Sequence, residues 1–416
     1  MSAAAGTSAV PPASAAMPCP TGPAPALPAG FTSATASAAI KKPGRRDMAL
    51  LRCPAGATLA AVYTTNQVCA APVQLGRRRL RESRGHCAAL LVNSGCANAA
   101  TGERGMAAAI ELTDAVARAC DVAPEAVQSN STGVIGVQLP LDRMLARVPA
   151  MAASAAAGSI EPFARAIMTT DTYPKWSSRT VEHDGRRCTV VGCAKGAGMI
   201  HPNMATMIAV IATDAPLGPA ELDGHLRAAV ERSFHRISID GDTSTNDSVF
   251  ALASGAAPAP EGGFPADAVR AAFKDVAREL ALMIVRDGEG YERGIHVRVS
   301  GAPSDADALT VAKTVASSLL VRCAVTGGDP NWGRILAAAG RSGVRLDLDD
   351  VALSVGGVAL FARGGPADTP LAAREAAFRA PMVEVDLAVG TGPGTDEFIS
   401  CGLTKAYVEL NADYTT

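Results

Sequence analysis

Along these 416 residues, short β-branched, apolar runs alternate with long Ala-rich segments whose apolar positions recur at helical spacing. That alternation admits only a mixed α/β protein, since each type must bury its apolar side against the other. The period-two or continuously apolar runs predict strands over residues 88–92, 189–191, 207–212, 297–299 and 383–387. The 3.6-residue periodicity predicts helices over 105–120, 139–156, 219–234, 266–285 and 305–317. No fixed-period repeat is present, so layered sheets covered by helices are expected rather than a solenoid. With 48% hydrophobic residues the chain fills one large body or two domains, and the Gly- and Pro-rich stretches 254–265 and 364–370 read as surface loops.

Charge narrows the partners. The 38 basic and 40 acidic residues are dispersed and nearly cancel, leaving no basic footprint for nucleic acid or an anionic membrane, so small molecules are the expected partners. No run approaches the roughly 18 uninterrupted apolar residues of a membrane-spanning helix. Ten Cys residues are scattered without a CxxC pair or metal-ligand spacing, which fits a reducing cytoplasm and implies no metal. Residues 1–38, almost uncharged and dominated by Ala, Pro, Ser and Gly, are expected to form a disordered leader. They lack the basic start and apolar run of a secretory signal.

The densest constraint lies mid-chain, in Lys195-Gly-Ala-Gly-Met-Ile-His-Pro-Asn-Met-Ala-Thr-Met207. By spacing alone this is a turn entering a strand, with Thr206 a strand residue of good β-propensity. A chemical reading is also open. A Thr hydroxyl is a poor nucleophile unless a base takes its proton, and no Ser-His-Asp or Cys-His arrangement is evident. Cleavage of the Ala205–Thr206 bond would free an α-amine, of pKa roughly 8, beside that hydroxyl. One residue would then supply nucleophile and base.

The segment Lys195–Met207, followed by Ala212-Thr-Asp-Ala215, resembles the autoproteolysis site of the ornithine acetyltransferase family. Further matches, in the family's order, are Asn130-Ser-Thr-Gly-Val-Ile-Gly136, Met168-Thr-Thr-Asp-Thr172, Ile239-Asp-Gly-Asp-Thr-Ser-Thr-Asn-Asp247, Arg286-Asp-Gly-Glu-Gly290 and Gly328-Asp-Pro-Asn-Trp-Gly-Arg334. With Asn411-Ala-Asp-Tyr-Thr-Thr416, the resemblance runs from about Gly30 to the end. It implies a layered α/β (α+β) fold of the N-terminal-nucleophile-like type, cut into an α chain of residues 1–205 and a β chain of residues 206–416 that share one active-site cleft. Two such units would pair as an α2β2 heterotetramer.

By the same resemblance, Thr206 is the nucleophile, and Thr132 and Gly133 form the oxyanion hole. The substrate pocket comprises Thr169, Lys195, Thr206, Glu289, Asn411 and Thr416. Glu289 suits the amines of ornithine and Lys195 a carboxylate. Thr416 lines a pocket only if the tail docks, and the run Tyr407–Tyr414 is expected to do so as a terminal strand. The polar run 240–247 and the turn 328–333 match neither a calcium nor a nucleotide loop and read as scaffolding around the cleft, with substrate contact as the other reading. His201 is a candidate general base.

The activity implied is transfer of acetyl from N2-acetylornithine to glutamate through acetyl-Thr206, without metal or tightly held cofactor, acetyl-CoA being a possible second donor. Two other readings stand beside it: an N-terminal-nucleophile amidase or aminopeptidase, and an uncleaved binding protein. The sequence departs from the family at Cys96 and Gly402, where Asn and Asp are usual, which touches none of these residues but leaves the acyl acceptor open.

Overall fold

Fourteen strands and twelve α-helices alternate along the described part of the chain. The computed structural model describes residues 22–201 and 207–413. The first eight strands are β1 (Thr32–Ala36), β2 (Met48–Tyr63), β3 (His86–Cys96), β4 (Val127–Val134), β5 (Lys175–His183), β6 (Arg186–Lys195), β7 (Ile208–Thr213) and β8 (Ser248–Ala253). They form one sheet in the order β4-β3-β2-β8-β7-β6-β5, with β1 pairing on β2. A second sheet of six holds β9 (Gly294–Ala302), β10 (Ala352–Val355), β11 (Val358–Ala362), β12 (Gly365–Pro366), β13 (Met382–Ala388) and β14 (Gly394–Cys401), ordered β12-β11-β10-β13-β9-β14.

The helices are α1 (Ala71–Glu82), α2 (Gly102–Cys120), α3 (Leu141–Leu145), α4 (Val148–Ser154), α5 (Glu161–Ala166), α6 (Pro219–Glu231), α7 (Ala266–Arg286), α8 (Asp305–Ala316), α9 (Leu319–Gly327), α10 (Trp332–Gly340), α11 (Leu371–Phe378) and α12 (Lys405–Asp413). A 3₁₀ turn, Phe234–Arg236, follows α6. Both faces of the larger sheet are covered. Every residue of β7 and β8 is buried, which is why both read as continuous apolar runs. Along β7 the pleat sends Ala209 and Ile211 toward α6 and α7, and Ile208, Val210 and Ala212 to the opposite core with Phe163 of α5. On α7, Val269, Phe273, Val276, Leu280 and Ile284 form one buried stripe. The smaller sheet has a separate core under α8, α9 and α10, including Val311, Val325 and Ile335.

Five predicted strands and the helices over 105–120, 266–285 and 305–317 appear within a few residues of their expected limits. The predicted helix 139–156 is instead broken into α3 and α4 at Pro149, which lacks an N–H and whose ring collides with the preceding turn. The helix expected to reach residue 234 stops at Glu231 and continues as the 3₁₀ turn.

The expected leader is corrected over its second half. Phe31 is buried and Thr32–Ala36 pairs antiparallel with Met48–Arg52, so Ala-rich composition here reflects a strand closely covered by α4 and α5. The terminal strand is also corrected: 405–413 is helical, with the Thr404 hydroxyl accepting from the Tyr407 amide in the manner of an N-cap. Among the described residues no single helix is long and apolar enough to cross a membrane. The pair α8 and α9 reaches that composition only with a 56° bend between them.

Candidate active site

The cleft forms at one edge of the larger sheet, where β4 and β6 end and β7 and β8 begin. Thr132 and Gly133 lie near the end of β4, and Lys195 is the last residue of β6, paired with Ile208. Thr169 comes from the α5–β5 connection, Glu289 from the turn after α7, and Asn411 from α12. These six line one cleft of about 140 Å³. Ala205, Thr206 and Thr416, the remaining predicted positions, lie outside the described residues. Met207, next to the predicted junction, is held from both sides: its N–H donates to Asp247 Oδ1 at 2.9 Å, and its carbonyl accepts from the Ser248 N–H at 3.1 Å.

Lys195 is only 2% exposed, with Nζ 3.3 Å from Thr132 Oγ1. Burial pushes its ammonium pKa down, and the carboxylates of Asp171, Asp247 and Glu289 oppose that shift. Asp171 links two predicted residues. Its Oδ2 accepts from the Thr169 N–H at 2.9 Å, while Oδ1 accepts from the Gly196 N–H at 2.7 Å and from Lys175 Nζ at 2.8 Å. Burial disfavours its charge, but Lys175 and Lys195 outweigh this and hold it below the usual carboxylate range. Lys175 is also fully buried and bonds Asp287, which in turn accepts from Thr172. A carboxylate–lysine–carboxylate chain therefore anchors the segment carrying Thr169 to the end of α7, just before Glu289.

Two glycines meet steric demands. Gly133 has φ +132°, and a Cβ there would lie 2.3 Å from the Gly95 carbonyl carbon, so only glycine lets β4 approach the β3 bulge at Gly95/Cys96. A Cβ at Gly198 would lie 2.6 Å from Glu289 Oε2, so a larger residue would drive the carboxylate out of place. Glu289 is further fixed by its own N–H to the Ala197 carbonyl at 2.8 Å and by Asn411 Nδ2, which donates to Oε2 at 2.9 Å.

Below the cleft, Asn246 Nδ2 donates to the carbonyls of Ala97 and Ser131, and Asn130 Nδ2 donates to the Asn246 carbonyl and Ser248 Oγ. This buried net locks the strand bearing Thr132 to the loop before β8. That loop contributes more than scaffolding, because Asp240, Asp242, Ser244, Thr245 and Asn246 line the cleft together with Tyr407. The sequence placed this dense polar run beside the cleft as scaffolding, and the individual residues that line it follow only from the folded loop. Asp240 accepts from the amides of Met199 and Ile200, and burial pushes its carboxyl up to about 6. Asp247 is fully buried, and burial raises it well above the carboxylate range.

Two sequence expectations are revised. None of residues 328–333 lines the cleft: Gly328, at φ +64°, ends α9, and the Asn331 side chain caps α10. His201 lines a different cavity, its Nδ1 lies 3.1 Å from Ser238 Oγ, and burial pushes its pKa down to about 4. Of the two departures, Cys96 sits buried in the β3 bulge, its Sγ donating to the Val137 carbonyl at 3.2 Å, and at Gly402 any Cβ would meet Thr326 Oγ1 at 2.3 Å.

Fold and cleft together define a layered α/β protein with a charged pocket of amino-acid size, assembled from segments on both sides of residues 205 and 206. The chain belongs to the ArgJ family, whose model matches residues 32–416. An arginine biosynthesis bifunctional protein ArgJ from Nitratidesulfovibrio vulgaris is 44% identical over 393 residues, covering 94% of this chain and 99% of that one. Its counterpart from Geobacter sulfurreducens is 46% identical over 399 residues, covering 93% and 99%. Among solved structures, a Bacillus halodurans ArgJ chain is 36% identical, covers 48% of this chain and 96% of its own, and superposes with a TM-score of 0.44. Ornithine acetyltransferase from Mycobacterium tuberculosis, solved with ornithine, is 36% identical over 42% of this chain and 92% of its own, with a TM-score of 0.36.

Proposed function

We propose that this protein is a glutamate N-acetyltransferase of arginine biosynthesis that cleaves itself between Ala205 and Thr206 and carries acetyl on Thr206. Membership in the ArgJ family supports the reaction class. The observation that supports the site is convergence: Thr132, Gly133, Thr169, Lys195, Glu289 and Asn411 come from segments up to 279 residues apart and line one cleft. Lys195, within it, pairs with Ile208, two residues past Thr206.

In maturation, the Thr206 hydroxyl attacks the Ala205 carbonyl, the C–N bond breaks, and water hydrolyses the resulting ester. This frees the Ala205 carboxylate, the Thr206 hydroxyl and the Thr206 α-amine. In turnover that amine takes the hydroxyl proton as the oxygen attacks the acetyl carbonyl of N2-acetylornithine. Thr132 and Gly133 donate to the developing oxyanion, the acetyl C–N bond breaks, and ornithine leaves with the proton. The amine of glutamate then attacks acetyl-Thr206, giving N-acetylglutamate and free enzyme in ping-pong order. Glu289 faces the substrate amines, and Lys195 a carboxylate.

Thr416 completes the pocket in this reading, acetyl-CoA is a second acetyl donor, and no metal or bound cofactor is required. The working form is a cytoplasmic α2β2 assembly of residues 1–205 and 206–416. A denaturing gel with N-terminal sequencing tests the central claim. Two fragments, one beginning Thr-Met-Ile-Ala, are expected, with Thr206→Ala remaining intact. A folded wild-type chain that stays whole would overturn the maturation step and favour a binding protein.

A further inference from the structure

A second cavity, of about 510 Å³, opens between α8 and the 3₁₀ turn after α6 and is lined by residues outside the candidate cleft. Its charges are unbalanced. Arg236 is occupied by Asp396 and Glu231, each at 2.9 Å, and Glu231 also bonds His235. Lys313 on α8 and Arg341 just after α10 line the same cavity, and their side chains have no ion-pair or hydrogen-bond partner among the described residues.

The polar groups ask for a particular complement. Two cations without counterions call for a group that carries more than one negative charge. A carboxylate carries one. A phosphate monoester carries close to two on a single compact group. Lys313 is half-buried, and burial lowers its ammonium pKa, so an anion beside it faces a less hydrated charge than at an open surface.

We propose that this cavity is a binding site for a small phosphate-bearing ligand, held by Lys313 and Arg341. The site shares a backbone segment with the cleft. Gly198 and Met199 line the cleft, His201 lines the cavity, and the Met199 and Ile200 amides between them are tied to Asp240. Occupancy is therefore transmitted to the cleft through residues 198–201.

Calorimetric titration of the purified full-length protein with inorganic phosphate, and separately with succinate at matched ionic strength, tests the site. Saturable phosphate binding is expected. Lys313→Gln and Arg341→Gln should each weaken it about tenfold, the loss of one charge-assisted contact, while Arg78→Gln on the exposed face of α1 leaves it unchanged. Hydrogen exchange at Met199 and Ile200 should slow with phosphate bound. Absence of saturable binding, equal or tighter succinate binding, or indifference to both cavity substitutions would overturn the site; unchanged exchange would overturn the coupling. Neither readout depends on acetyl transfer.

Discussion

At the scale of single residues, the cleft is a set of charges that the protein holds against their tendency to hydrate. Lys195 and Thr132 lie 3.3 Å apart although β6 and β4, which carry them, are not adjacent in the sheet, and both are almost wholly buried. If Thr132 donates to the oxyanion, Thr132→Ala should lower kcat by roughly 100-fold to 1,000-fold, with a much smaller change in KM. A purely structural Thr would instead lower the melting temperature and spare kcat. Asp240 makes a pH prediction. Its carboxyl, raised by burial to about 6, is ionised above that pH and is then the better acceptor for the Met199 and Ile200 amides. As pH falls through about 6 the group takes up a proton, and kcat/KM should fall with it. Asp240→Asn should flatten that limb of the profile. The six described positions that line the cleft were legible because their motifs are contiguous in sequence. The supports were not: Asp171, Asp247 and the Asn130–Asn246 net act across 25 to 116 residues, and no local pattern marks such a partner.

At the scale of elements, the decisive fact is where β7 and β8 sit. Both follow residue 206, yet they lie between β2 and β6, which precede it. Self-cleavage would leave the two fragments sharing the middle of one sheet, paired on both sides by backbone hydrogen bonds. They should therefore co-elute on size exclusion under native conditions and separate only in denaturant at the concentration that melts the sheet. Fragments that part without unfolding would contradict this topology. The contact of α7 with β6 is similarly exacting, since a Cβ at Gly192 would lie 2.6 Å from Val276 Cγ1. Periodicity disclosed α7 and β7 because each buries its apolar face along its whole length. It missed the break at Pro149 because apolar spacing continues across it, and it misread α12, where no residue is buried and pattern carries little information.

For the whole molecule, the two sheets carry separate cores, and the smaller contains a buried ionic cluster that makes stability depend on pH. His296 is fully buried, with Nε2 2.6 Å from Glu397 and Nδ1 3.5 Å from Glu384. Burial opposes its charge, but the two glutamates outweigh that and raise its pKa. Its contribution is thus complete below the unfolded value of roughly 6.5 and is lost as pH rises through the folded value. Glu397, despite burial, is lowered to about 2 by His296 and Arg278, so its contribution is present above the ordinary glutamate range and lost as pH falls toward 2. The melting temperature should therefore peak in the weakly acidic range, and His296→Gln should remove the decline on the alkaline side. The sequence by itself determined the α/β class, five of the fourteen strands, the longest helices α2 and α7, and the family motifs, because periodicity and contiguous chemistry are local properties. Only the tertiary structure decided that the Ala-rich segment 32–36 is a strand, that 240–247 lines the cleft while 328–333 does not, and that His201 faces a separate cationic cavity. Those outcomes depend on which distant surfaces close against one another, and that closure is fixed by packing and buried polar pairing rather than by any neighbour in the chain.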